Sequence, residues 1–165
     1  MTSVQPFRFA VQATQATSAK AWRDVARSAQ DLGYATLFLA DHYLGPGPAQ
    51  REARWPPQDL APIAALAAAA AWTQTLRIGC RVFCADYHVP AVLAKEAATL
   101  DLLSDGRLEL GLGAGWSEPE YRALGLPLAP PGQRVAKLAE VVALVKAHFT
   151  GDPLDVRGQR QDALA

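Results

Sequence analysis

An aspartate and a histidine stand next to each other at Asp41 and His42, directly after a short apolar segment. Histidine changes its charge near neutral pH, and a neighbouring carboxylate tunes that change, so the pair can donate or accept a proton. In the alternative interpretation Asp41 caps a turn and His42 only fills space at the end of the strand. For an isolated pair the residues alone favour the structural interpretation.

A second candidate is the glycine-rich segment 108–116, which reads LELGLGAGW. An apolar strand runs into a turn containing Gly113 and Gly115, and Ser117 and Glu118 open a helix behind it. Glycine has no Cβ, so the backbone of such a turn can approach a ligand closely. Turns of this kind are frequent ligand sites in α/β proteins. The same glycines would also suit a turn that only lets helix and strand pack, and the segment supports both interpretations equally.

Cys80 and Cys84 are the two cysteines of the chain, and both lie in an apolar segment. Four residues along a strand separate them by about 13 Å, which is too far for a disulfide. Free thiols are typical of a cytoplasmic protein. Further metal ligands do not follow at short spacing, so we predict buried thiols and no metal site. His88, just before Pro90, is interpreted as a surface or capping residue.

Four strand–helix units must position these residues. We predict strands over 7–12, 35–40, 76–84 and 107–112, and helices over 18–32, 60–73, 90–103, 117–124 and 133–149. Sequential βα units build a parallel sheet, open or closed into a barrel, with functional residues at the carboxyl ends of the strands. Residues 44–59 form an inserted loop, either a lid that carries Trp55 over a ligand or a surface excursion. A short strand over 154–156 is also possible.

Composition limits the possible functions. The 165 residues suit one domain, and 16 basic residues balance 16 acidic ones. We therefore expect neither nucleic acid nor a membrane surface as a partner. The start of the chain has no pattern of a signal peptide, and the apolar segment 60–72 is too short to span a bilayer.

Taken together, several motifs resemble the bacterial luciferase-like monooxygenase superfamily, and within it the deazaflavin (coenzyme F-420)-dependent oxidoreductases. The similarity extends to about Gly158. The motifs that carry it are ADH at 40–42, LRIG at 76–79, PAVLAKEAATLD at 90–101, SDGRLELGLGAGW at 104–116, EY at 120–121 and GLP at 125–127.

The resemblance implies a TIM-barrel-like fold, of which this chain holds about half. It also implies F-420 (an 8-hydroxy-5-deazaflavin), or alternatively FMN, at the carboxyl face, and hydride transfer with a small-molecule substrate. His42 would then exchange the proton and Asp41 would position it. Further residues implied to contact the cofactor are Arg81 and Val82 across a non-prolyl cis peptide bond, Cys84, Asp86, Gly113, Ala114, Gly115 and Trp116.

Two features depart from that family pattern. Trp116 stands where the sugar-phosphate dehydrogenases of the family carry a catalytic glutamate, so their chemistry is not implied. The second half of the barrel, with its phosphate-binding turn, is missing, and residues 159–165 suggest a disordered tail. Half a barrel would expose two sheet edges and an apolar inner face, so we expect either a piece of a longer enzyme or a homodimer. A non-catalytic half-barrel, which only dimerises or binds a flavin, is the competing hypothesis.

Overall fold

A computed structural model of the chain describes residues 7–151. Four parallel strands alternate with helices, and each strand pairs with the next one along the chain, in the order β1-β2-β3-β4. The elements are β1 (Ala10–Gln12), α1 (Ala19–Asp31), β2 (Thr36–Leu39), α2 (Pro48–Ala53), α3 (Pro62–Trp72), β3 (Arg77–Cys84), α4 (Pro90–Leu103), β4 (Leu108–Gly113), α5 (Glu118–Ala123) and α6 (Pro131–Thr150).

Local chemistry explains where these helices begin and end. The side chain of Ser18 accepts a hydrogen bond from the amide of Ala21 and caps α1, which satisfies one of the free N–H groups of its first turn. The helices α2 to α6 all have proline in their first turn, where a missing N–H is harmless. Gly151 ends α6 in the left-handed conformation that glycine adopts readily.

The core lies between the sheet and the helices. Alternate strand residues such as Leu37 and Ile78 are fully buried against alanines and leucines of α1, α3 and α4. A smaller cluster joins α6 to α4 through Val141, Leu144 and Ala94. Small alanine side chains let the helices pack closely against the sheet, and this close packing fixes the positions of the strand ends.

The face of the sheet away from the helices carries polar and glycine residues. The Thr36 hydroxyl donates to Glu109 at 3.1 Å, and Arg77 Nε donates to the same carboxylate at 2.8 Å. Arg81 Nε donates to the Gln12 side chain at 3.0 Å. The inner face is therefore mixed and less apolar than expected: Phe38 and Val82 lie on it among the polar and glycine residues, while strand alternation places most aliphatic residues on the helix side.

Two sequence expectations concern regions outside the regular sheet. The loop 44–59 contains the short helix α2, which is absent from the elements predicted from the sequence. The possible strand at 154–156 and the proposed tail at 159–165 lie outside the described residues. Within residues 7–151, no helix is long and apolar enough to cross a membrane.

Candidate functional site

The carboxyl ends of β2, β3 and β4 surround a cavity of about 110 Å³. Its lining includes seven of the ten residues predicted for the site: Asp41, His42, Arg81, Val82, Cys84, Gly115 and Trp116. Asp86, Gly113 and Ala114 do not line it. The other lining residues are Ala40, Trp55 and Tyr87. The parallel sheet thus brings residues from three separate units to one place, as the βα pattern predicts.

His42 is held by a buried carboxylate from a distant helix. Its Nδ1 lies 2.6 Å from Oε2 of Glu120, whose side chain is 1% exposed. The other oxygen of Glu120 accepts the amide of Tyr43 at 2.7 Å. The ring of Trp55 packs on the imidazole with centroids 4.8 Å apart, and the ring of Trp116 meets it edge-on at 6.2 Å. The imidazole is therefore fixed both by hydrogen bonding and by aromatic contacts.

Asp41 has partners other than His42. Its Oδ2 accepts the amide of Cys84 at 2.8 Å and lies 2.8 Å from Nε2 of His88. Its Oδ1 is buried and has no partner among residues 7–151. Asp41 and His42 follow the end of β2, and their side chains bind different partners, so Asp41 does not orient His42. The interpretation of His88 as a surface or capping residue is wrong, because its side chain is 12% exposed and bound to Asp41.

The third strand carries an irregularity beside the cavity. The Arg81–Val82 peptide bond is cis, as the resemblance implies, and the pairing with β4 shifts register between Cys80 and Phe83. Val82 is 41% exposed, and its side chain lies against β4.

The glycines of β4 make room for Val82. A Cβ at Gly111 would lie 2.8 Å from Val82 Cγ1, and one at Gly113 would lie 2.5 Å from Val82 Cγ2. Both distances are far below a normal carbon contact of about 3.5–4.0 Å. The structure therefore gives Gly113 a packing role beneath the bulge, which the segment alone did not distinguish from ligand contact.

The turn after β4 rests on a network of polar side chains. Gly115 has φ +73°, and a Cβ there would collide with the Tyr121 hydroxyl. That hydroxyl donates to Asp86 at 2.6 Å and lies 3.4 Å from Cys84 Sγ, while Lys137 Nζ lies 2.6 Å from Asp86. The structure thus places Asp86 under the turn, where it supports the site from behind.

Both thiols are free and buried. Burial raises the pKa of Cys80 and of Cys84, and the negative charge of Asp41 adds to the effect at Cys80. Neither thiol is therefore activated as a nucleophile. Residues 7–151 hold no group of three or more His, Cys, Asp or Glu side chains arranged for a metal ion.

Glu120, His88 and Tyr87 are not among the functional residues predicted from the sequence. Glu120 and Tyr87 approach the cavity from segments far apart in the chain, and no spacing rule links either of them to His42. Glu120 belongs to the EY motif at 120–121, which is part of the family resemblance and has no assigned role there. Their pairing depends on the register of the sheet, which local patterns do not define.

Known proteins similar to this chain include F-420-dependent dehydrogenases and a monooxygenase. An uncharacterized protein of Mycobacterium tuberculosis is 35% identical over 137 residues, which are 76% of this chain and 47% of that protein. The F-420-dependent glucose-6-phosphate dehydrogenase of Amycolatopsis mediterranei is 31% identical over 131 residues, which are 79% of this chain and 38% of that enzyme. The chain therefore spans less than half the length of these relatives.

Solved structures of other proteins have the same fold. An F-420-dependent secondary alcohol dehydrogenase in complex with an F-420–acetone adduct superposes with a TM-score of 0.77 at 22% identity, over 92% of this chain and 45% of that one. A type II Baeyer–Villiger monooxygenase from Pseudomonas putida with FMN gives 0.72 at 18% identity, over 92% and 41%. The family model of luciferase-like monooxygenases matches residues 1–164. With this match and the parallel βα fold, the chain belongs to the luciferase-like monooxygenase family.

Proposed function

We propose that this chain forms the reactive part of an F-420-dependent oxidoreductase, in which a hydride passes between the deazaflavin and a small organic substrate. The observation that carries the proposal is the position of His42, a histidine bound to a buried carboxylate at the cavity of the carboxyl face. Four relatives 31–34% identical to the chain are F-420-dependent glucose-6-phosphate dehydrogenases, and one relative 32% identical is a 4-hydroxyprotoasukamycin monooxygenase. The larger number of dehydrogenases supports the deazaflavin over FMN.

The residues around the cavity fit a flat, partly polar ring. Val82 offers an exposed aliphatic surface, and Trp116, 58% exposed, offers an aromatic one. The unpartnered Oδ1 of Asp41 is a buried acceptor, which an N–H of the ring would satisfy. When bound, F-420 supplies a two-electron carrier that exchanges a hydride with the substrate.

His42 would handle the proton that accompanies the hydride. In the oxidative direction a C–H bond of the substrate breaks with both electrons, and the proton of the adjacent O–H passes to the imidazole. The substrate leaves as a carbonyl compound, and the imidazolium returns the proton to water. Trp55 and Trp116 contact the imidazole and would restrict its movement during the transfer. Trp116 occupies the position of the glutamate of the sugar-phosphate dehydrogenases, so we do not propose sugar phosphates as substrates.

We also propose that the chain works as a homodimer. The strands β1 and β4 each have a neighbour on one side only among the described strands. Unpaired strand edges favour association, and a second copy would extend the walls of the site. Sedimentation of the full chain tests this: a dimer is expected, and a stable monomer at all concentrations would contradict it.

The cofactor proposal is tested by titrating the full chain with F-420 and, separately, with FMN, while tryptophan fluorescence is recorded. Binding at the cavity should quench Trp55 and Trp116, so Trp116→Phe should lose a large part of the quenching. Trp72→Phe is the matched control, because Trp72 lies on α3 away from the cavity, and its quenching should equal that of the unmodified chain.

Three outcomes decide the proposal. F-420 quenching that depends on Trp116 supports it. Saturable quenching by FMN alone would assign the site to a flavin and overturn the deazaflavin assignment. Retention of neither compound after gel filtration would overturn both and favour the non-catalytic half-barrel.

A further inference from the structure

Glu120 is a buried carboxylate, and its acceptor oxygens face two N–H groups. Oε2 lies 2.6 Å from His42 Nδ1, and Oε1 accepts the amide of Tyr43 at 2.7 Å. Its side chain is 1% exposed, and no lysine or arginine makes an ion pair with it among residues 7–151. A buried carboxylate needs compensating donors, so the imidazole is its main side-chain partner.

This contact decides which nitrogen of His42 carries a proton. An ionised carboxylate accepts hydrogen bonds and does not donate them, so with Glu120 ionised the hydrogen of this contact lies on Nδ1. The other nitrogen, Nε2, makes no hydrogen bond to residues 7–151. Among the described residues, three buried side-chain atoms lack a hydrogen-bond partner: Asp41 Oδ1, Trp55 Nε1 and Ser117 Oγ. Nε2 of His42 also lacks a partner but is not one of these buried atoms. Nε2 is therefore both uncommitted and accessible.

We propose that Glu120 is the positioning residue of His42: it holds the proton on Nδ1, fixes the ring, and leaves Nε2 as the atom that exchanges the substrate proton. The negative charge of Glu120 also stabilises the imidazolium that forms when Nε2 takes a proton. This inference rests on the proposed function for the identity of the reaction, whereas the tautomer itself does not depend on any cofactor.

The surroundings of the pair support this role. The ring of Trp55 covers the imidazole and restrains its rotation. Tyr87 lies near Glu120 from the loop after β3, and burial together with the Glu120 charge raises the pKa of Tyr87, so its phenol stays protonated. Asp41, the other carboxylate at this end of the sheet, is bound to Cys84 and His88. Glu120 is thus the carboxylate that acts on His42.

The substitution Glu120→Gln tests the proposal without changing the size of the side chain. The amide oxygen of glutamine is expected to keep the Tyr43 N–H, which turns the NH₂ group toward His42 Nδ1. That nitrogen must then accept, so the neutral tautomer should switch to Nε2–H. Glu118→Gln is the matched control, because Glu118 lies on the same helix, is exposed and does not touch the site.

Nitrogen-15 NMR of the histidine rings in the full chain reads the tautomer directly, with His42 assigned through His42→Asn. The unmodified chain and Glu118→Gln should show a protonated Nδ1 and an unprotonated Nε2. Glu120→Gln should reverse them, or exchange the Nδ1 proton with water about tenfold faster or more, as expected for loss of a hydrogen bond to a charged group. Binding of F-420, measured on the same variants, should change less than about threefold, because Glu120 does not line the cavity.

A neutral His42 ring with its proton on Nε2 instead of Nδ1 in the unmodified chain, or equal His42 spectra in Glu120→Gln and Glu118→Gln, would overturn the inference. The first of these results needs no variant, so the proposal can still be contradicted if Glu120→Gln does not fold. Failure of every form to bind F-420 would instead overturn the proposed function, and the NMR result would still decide the role of Glu120.

Discussion

Replacing Gly113 with alanine is expected to destabilise the chain through its contact with Val82. The new methyl carbon would lie 2.5 Å from Val82 Cγ2, so the two must separate by about 1 Å to reach a normal carbon contact. Valine is stiff about χ1 and cannot rotate away cheaply. Overpacking of this kind costs about 1–3 kcal/mol, while the lower chain entropy of alanine offsets about 0.4–1 kcal/mol. We expect a net loss of about 1–2 kcal/mol in the free energy of unfolding.

Urea unfolding followed by circular dichroism measures this loss, and Gly132→Ala is the matched control. Gly132 is exposed in the first turn of α6, and a Cβ there meets nothing within 4 Å. Alanine at this position should leave stability unchanged or raise it by up to about 1 kcal/mol. For a chain of this size, 1 kcal/mol corresponds to about 2–4 °C in Tm, so the two variants should differ clearly.

A double-mutant cycle identifies the cause of the loss. Val82→Ala removes the two methyl groups that the new Cβ would meet, and Val82 is 41% exposed, so this change alone should cost less than about 1 kcal/mol. The double variant should recover about 1–2 kcal/mol relative to additivity. Additive costs within about 0.5 kcal/mol, or equal stability of Gly113→Ala and Gly132→Ala, would refute the packing role of this glycine.

Three further outcomes follow from buried polar groups. Burial raises the pKa of Tyr87 and Tyr121 above the ordinary value of 10.0, so the two neutral phenols stabilise the folded chain below pH 10, and this stabilisation is lost as the pH rises further. Phenolate absorbance from these tyrosines should therefore appear together with alkaline unfolding. Phenolate absorbance in the folded chain would contradict this prediction. Cys80 and Cys84 should react with a thiol reagent in the native chain at least about tenfold more slowly than in urea, and equal rates would contradict their burial. Arg107 donates to four oxygens, three of them backbone carbonyls. Arg107→Lys should therefore lower the free energy of unfolding by about 2 kcal/mol in the same urea assay. A loss below about 0.5 kcal/mol would contradict a stabilising role of these hydrogen bonds.

Most of the fold could be predicted because its signals are local. The helix over 90–103 begins and ends as predicted, since Pro90 starts it and a turn at Ser104–Gly106 follows it. The strands lie within the predicted segments or one residue from them, because continuous aliphatic runs are typical of buried parallel strands. Helix α2 was not predicted: it has six residues, none of them buried, and no side-chain cap.

The partners of the site residues could not be predicted because they are determined by distance in space. Asp41 and His42 are neighbours in the chain, yet their side chains bind His88 and Glu120, which are 47 and 78 positions away from them. Which carboxylate meets which imidazole depends on strand direction and helix placement at the level of single ångströms. The role of Gly113 was equally hidden, since Val82 comes from another strand.

The sheet is not equally well paired along its width. Three residue pairs join β1 to β2, four join β2 to β3 and five join β3 to β4. Local opening is cheapest where the fewest hydrogen bonds must break, so amide exchange should be fastest in β1 and slowest in β3 and β4. His42 follows β2, the strand between β1 and β3, and Glu120 lies on α5 after β4. The guanidinium of Arg81, which lines the cavity, is bound to Gln12 of β1. Transient opening of β1 should therefore also release Arg81 at the cavity.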